Sequence, residues 1–400
     1  MTGPLDPTAL AASLGALVRR HGALRTRFQA GADGPVQVVQ DRAETPIREL
    51  RPREGLDHDR QLNAALAEPF DLGRAPLLRL AVLRRSAERH TLLLTVHHII
   101  CDGMSLQVLL AELGMAYCGG LAELGPASAG YLEFVTWQRR EAAARLPAAR
   151  DHWRRVLTPP PRPVDLAPDP LAGVDSYQPD RYWFQLGAGS GDRLDQASRS
   201  LRVTPFIALL AGFKAVLWRL SGQADLAIGS LFSGRVRAEF EATVGLLANA
   251  TVLRTSLAGD PTFRELAGRV RAVVLDASDH QTVPIEQAAP VERLRPGWSV
   301  WFTMLPPGAG TLTLDRAAVR PLPLAPSMVV RTAPVWEGDN LAMTTWTDRE
   351  GEVCGQVDYN RFLLDPATVG KLVGMLRSVL DRGLADPGLR LSQLHPRVDA

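Results

Sequence analysis

The sequence predicts an α/β protein built in two halves. Its 400 residues exceed the usual span of one hydrophobic core. Strand-like apolar runs alternate with helix-patterned segments, most clearly where Thr91–Val96 passes through His97, His98 and an Asp102-Gly103 turn into Met104–Tyr117. Leu157 to Pro170 is so dense in proline that it reads as an extended connector, neither helix nor central strand. The expected division is residues 1–157, a connector at 158–178, and residues 179–400.

The elements follow in order. Asp6 to His21 has Leu10, Leu14 and Leu17 at helical spacing, with Thr8 as the expected cap. Gln37 to Gln40 is a short strand after a Gly-rich turn. Pro76 to Leu83 and His90 to Val96 are strands rich in Leu, Val and Thr. Tyr131 to Trp153 is helical, and Pro147 is expected to kink or divide it. The second half opens on a strand, Arg181 to Leu186, followed by Gly-Ala-Gly-Ser-Gly191 and a helix from about Asp192. Those glycines lack the third position of a dinucleotide-binding loop, where Asp192 stands, so a flexible connection is the better reading. Thr204 to Leu220 is an apolar helix with Pro205 near its start. Trp298 to Leu305 is a further strand, and Pro366 to Leu380 a closing helix.

Composition excludes several classes. Forty-five Lys+Arg against 43 Asp+Glu leave +2, no basis for a nucleic-acid partner. Three cysteines at unrelated spacings, Cys101, Cys118 and Cys354, form neither a disulfide framework nor a zinc motif and fit a reducing compartment. Neither a signal peptide nor an apolar run of membrane length is visible. The expectation is a cytoplasmic protein.

The chemistry is expected at the end of the His90–Val96 strand, where two imidazoles precede an acid. An isolated His-His-x-x-x-Asp is more often a pair of satisfied core histidines, and adjacent histidines converge poorly on one metal ion. Here the pattern is joined, in order, by Arg19–Phe28 (RRHGALRTRF), Glu68–Leu72 (EPFDL), Ser221–Arg235, Val244–Arg254, Asp279–Glu286 and Val357–Asp365. Together these resemble the condensation domains of nonribosomal peptide synthetases and their chloramphenicol-acetyltransferase-like relatives, over roughly residues 8–385. Heterocyclisation relatives replace the histidines by aspartate, and plant-type acyltransferases carry a late Asp-Phe-Gly-Trp-Gly; neither feature occurs here.

The resemblance implies two acetyltransferase-like α/β lobes in a V-shaped pseudo-dimer with a channel between them. It implies condensation of an acyl or aminoacyl thioester, held on the phosphopantetheine of a carrier protein, with an amine or hydroxyl acceptor. His98 is then the general base or positioning residue. His97 is expected to face the packed interior, since neighbours on extended backbone point to opposite sides. Asp102 is expected to act as scaffold, paired with Arg235 or alternatively Arg25. Gly103 is expected to supply backbone freedom and an N–H, and Asn249 to line the channel. No bound cofactor and no metal is expected, and the protein is expected to be a monomer. Cys101 reads as a small buried side chain, and no Gly-x-Ser-x-Gly elbow offers a serine nucleophile. Two alternatives stay open: a non-catalytic docking module that recruits carriers or tailoring enzymes, and an epimerisation domain. The family's usual first strand, ahead of the first helix, is expected to be missing, and the loop at Arg293–Trp298 departs from the family pattern.

Overall fold

The computed structural model describes residues 1–32, 34–45, 47–50, 58–120, 125, 129–166, 178–306, 312–314, 317–319 and 340–394. The chain divides into two compact units that are not consecutive in sequence. The first comprises Met1–Arg139, Arg235–Ala248 and the described part of Ala309–Val330; the second comprises Arg140–Gly234, Asn249–Gly308 and the described part of Arg331–Ala400. This differs from the division at 157 and 178 expected from the sequence, and the connector's residues 167–177 lie outside the described residues. Ala142, Ala149, Trp153 and Leu157 belong to the core of the second unit, which is why the boundary falls before the prolines.

In the first unit, α1 (Pro7–Arg20) buries Leu10, Leu14, Leu17 and Val18. Its cap is Asp6 rather than Thr8: the Asp6 carboxylate accepts the Thr8 and Ala9 amides at 2.8 and 3.1 Å, because Pro7 holds the first helical position. A hairpin follows, β1 (Thr26–Gly31) against β2 (Gly34–Val39). The strand expected at Gln37–Gln40 is the end of β2. Next come β3 (Ile47–Leu50), α2 (His58–Ala67), β4 (Leu78–Arg84) and β5 (His90–Val96). β4 runs parallel to β3 and antiparallel to β5, in the order β3-β4-β5. α3 (Gly103–Tyr117) packs with α1 over this sheet through Leu109, Leu110 and Leu113. α4 (Tyr131–Val156) is one helix despite Pro147. Pro147 and Ala143, whose carbonyl loses its partner, are both exposed, so water can take the lost hydrogen bond.

The second unit is built on a six-stranded mixed sheet. In chain order come β6 (Pro179–Gln185), α5 (Ser190–Leu201), α6 (Pro205–Ser221), β7 (Asp225–Phe232), β8 (Asn249–Ser256) and α7 (Phe263–Asp279). The short helices α8 (Ile285–Ala288) and α9 (Val291–Leu294) precede β9 (Val300–Met304), β10 (Leu341–Thr347), β11 (Val353–Asn360) and α10 (Pro366–Ala385). The sheet order is β6-β11-β10-β9-β7-β8, with β9 parallel to both β7 and β10. Thr204 caps α6 by accepting the Ile207 amide, and the helix is buried continuously from Ile207 to Leu217.

That helix carries an uncommon buried cation. Lys214 is fully buried and donates to the Leu226 and Leu253 carbonyls at 3.2 and 2.6 Å, joining α6 to β7 and β8. Burial pulls its ammonium down to about 7, against a smaller opposing pull from Asp225. An unfolded lysine keeps its proton until about pH 10.4. Between the two values the unfolded chain therefore binds more protons, and stability rises with pH. Urea unfolding from pH 7 to 10 is expected to show a larger gain for the wild type than for Lys214→Met. Identical slopes would contradict this reading. Among the described residues no single helix is long and apolar enough to cross a membrane.

Candidate active site

The site is assembled within the first unit, where β5 ends. Its last residue, Val96, pairs with Leu78 of β4, and the His97 amide continues the pairing with a 2.9 Å bond to the Leu77 carbonyl. The chain then leaves the strand. His98–Ile100 form a single 3-10 turn, so the two histidines are separated by a turn and not by the alternation of extended backbone. His97 is half-buried. Its Nδ1 accepts the Ile99 amide at 3.1 Å, and its ring meets Phe70 edge-on at 5.9 Å. Burial, then the neighbouring His98, lower its pKa, which favours the neutral ring that accepts the Ile99 amide. His98 is exposed, with its imidazole presented outward from the strand end.

Directly after the turn the backbone is locked. Cys101 is buried, and burial, reinforced by Asp102, pushes its thiol up to about 12. Burial thus favours the thiol over the nucleophilic thiolate. Asp102 is 4 % exposed and caps α3. Its Oδ1 accepts the Ser105 amide at 2.8 Å and lies 2.8 Å from the Ser105 hydroxyl. Arg235 grips the carboxylate with both ends of its fork, at 2.9 Å to Oδ2 and 3.0 Å to Oδ1. The Leu247 and Ala248 amides reach Oδ2 at 3.0 and 3.1 Å. Burial is the largest influence on this carboxyl and would raise its pKa. The hydrogen bonds and charge of Arg235, with the two contacts from Ser105, together outweigh it and hold the pKa below the ordinary carboxylate range.

Arg235 is brought to this position by Gly234, which takes φ +67°, a conformation costly for other residues. The guanidinium also donates to the Ser105 hydroxyl and the Thr243 carbonyl, each at 2.9 Å. The segment Thr243–Ala248 closes the network. The Gly245 carbonyl accepts the Asp102 amide at 3.0 Å, and the Gly245 amide donates to Ser105 Oγ at 3.0 Å. Gly245 lies flat against Tyr131, where a Cβ would stand 2.2 Å from the ring. Tyr131 in turn donates to the Leu246 carbonyl at 3.2 Å.

The other expected site residues fall elsewhere. Arg25, the alternative partner for Asp102, donates to the Val18 and Gln40 carbonyls and ties the 3-10 turn Gly22–Arg25 to α1 and to the residue just past β2. Gly103 is the first residue of α3 in helical backbone, so the freedom to take positive φ is not what that position uses. Asn249 belongs to the second unit, where its side chain donates to the Gln281 carbonyl at 2.7 Å. Ser105, Thr243 and Gly245 were not expected from the sequence. A serine three residues after an aspartate at a helix start was the visible sign of the first.

The arrangement is an exposed imidazole on a turn followed by a buried ion pair with several hydrogen bonds to each partner. A model of the condensation domain matches residues 1–291. Chondramide synthase cmdD of Chondromyces crocatus is 35% identical over 98% of this chain and 10% of its own length. Tyrocidine synthase 3 of Brevibacillus parabrevis is 28% identical over 100% of this chain and 6% of its own length. The chain thus spans a tenth or less of these relatives. Among solved structures, the condensation domain of the monacolin K polyketide synthase MokA superposes with a TM-score of 0.79 at 20% identity, covering 98% of this chain and 92% of that one. The X-domain from teicoplanin biosynthesis, also solved in complex with OxyB, gives 0.76 at 25% identity, covering 99% and 91%. With its mixed α/β fold and this family match, the chain belongs to the condensation domain family.

Proposed function

We propose that this chain joins an acyl or aminoacyl group, carried as a phosphopantetheine thioester on a carrier protein, to an amine or hydroxyl acceptor. The acceptor nitrogen or oxygen attacks the thioester carbonyl, the new C–N or C–O bond forms, and the C–S bond breaks. The acceptor's proton passes toward His98, and the departing sulfur leaves as the free pantetheine thiol. The thioester supplies the driving force, so the step calls for neither ATP nor a metal. The observation that supports this reading most is the exposed His98 imidazole on a turn that leads, through Cys101, into Asp102, which Arg235 locks. Positioning of this kind lowers the cost of bringing donor and acceptor together, and proton transfer by a placed imidazole adds about 10²–10⁴-fold.

A second reading is favoured by one observation, the likeness to the teicoplanin X-domain: a docking module that recruits a tailoring enzyme. Incubation with acyl-loaded carrier protein and a panel of amines and alcohols separates the two. Intact-mass analysis is expected to show the acyl group joined to an acceptor and the carrier returned as free thiol. A carrier that binds the protein but stays loaded with every acceptor would favour docking.

A further inference from the structure

A second cluster of chemistry-bearing side chains lies inside the second unit, among residues the proposed reaction does not use. His152 projects from α4, while Asp276 and His280 stand four residues apart at the end of α7. That spacing puts both α7 side chains on one face of the helix. The ligand atoms of the three residues lie within 4.8 Å of one another. His152 is 2 % exposed, and neither of its ring nitrogens has a hydrogen-bond partner among the described residues. The Asp276 carboxylate is its nearest charge, at 3.4 Å from Nδ1. Its ring stacks on His280 with centroids 4.1 Å apart and meets Trp153 edge-on.

A buried imidazole with both nitrogens unused loses hydrogen bonds it would have in water. Apart from the 3.4 Å approach of the Asp276 carboxylate, no contact among the described residues uses the nitrogens of this ring. We propose that His152, Asp276 and His280 form a binding site for a divalent transition-metal ion of the zinc type. Two imidazoles with one carboxylate suit zinc, cobalt or nickel and disfavour magnesium and calcium, which take oxygen donors. Three protein ligands leave a fourth tetrahedral position for water. Ligand atoms around such an ion stand roughly 3.4 Å apart, from metal–ligand lengths near 2.1 Å, the separation that His152 Nδ1 and the Asp276 carboxylate already have. His280, the C-cap just past α7 and less buried than His152, is the one that turns. Burial, foremost, lowers the His152 pKa, consistent with the neutral ligand form. The bound ion would pin α4 to α7.

Cobalt(II) titration of the full-length protein, read by visible absorption, tests the site, with zinc(II) competition giving the affinity. One ion per chain is expected, with d–d bands and no thiolate charge-transfer band. His280→Ala and Asp276→Asn, both at accessible positions, are each expected to weaken binding by about tenfold or more. His98→Ala is expected to leave it unchanged. Absence of binding, a thiolate band, or affinity that survives both α7 substitutions would overturn the proposal.

Discussion

Arg235→Ala is expected to destabilise the first unit by about 3–5 kcal/mol, the range for breaking a buried ion pair from one side. Asp102 and Arg235 side chains are each only 3% exposed, so truncation leaves a carboxylate in the interior with no counter-charge. The Leu247 and Ala248 amides and Ser105 still reach it, but the two charge-assisted bonds are gone. Burial, the largest influence, is then opposed only by these remaining hydrogen bonds and pulls the carboxyl toward protonation. Urea unfolding with fluorescence detection measures the loss, and a change under about 1 kcal/mol would contradict the assignment of Asp102 as scaffold. The effect has a defined pH dependence. The folded carboxyl titrates below its unfolded value of about 3.9. Its contribution is therefore complete above that value and is lost as pH falls through the folded pKa. The gap between wild type and variant should accordingly narrow in acid below about pH 4.

How much of this was legible varied with the range of the interaction. The β5 strand was readable to its residue bounds, because its composition and the Asp-Gly turn are local signals. Of the two outcomes expected of Pro147, division of α4 does not occur; exposure decides whether a lost backbone bond matters, and exposure is a tertiary property. The same limit applies to the histidines. Strand alternation predicted opposite faces, but the chain leaves extended backbone at His98, and the 3-10 turn sets the difference in burial. The Asp102–Arg235 pair joins residues 133 positions apart, and no periodicity links them; only the resemblance to known motifs did. Residues 235–248 also defeated any reading of the chain as two consecutive halves. They belong to the unit that holds Asp102, while β7 and β8 on either side belong to the other.

Replacing His98 by alanine should do the reverse of removing Arg235, leaving the fold intact and abolishing the chemistry. The ring is exposed and outside the ion-pair network, so its loss removes little packing, and the denaturation curve should superpose on wild type within about 0.5 kcal/mol. The turn itself is held by the His97 amide and ring, the Asp102 cap and Arg235, none of which needs the imidazole of residue 98. If that imidazole receives or positions the acceptor's proton, transfer should slow by about 10²–10⁴-fold. The direct measurement is single-turnover transfer from an acyl-loaded carrier protein, wild type and His98→Ala side by side. A fall of at least about 100-fold with an unchanged unfolding curve is the predicted result; equal rates of product formation by the two proteins would contradict it.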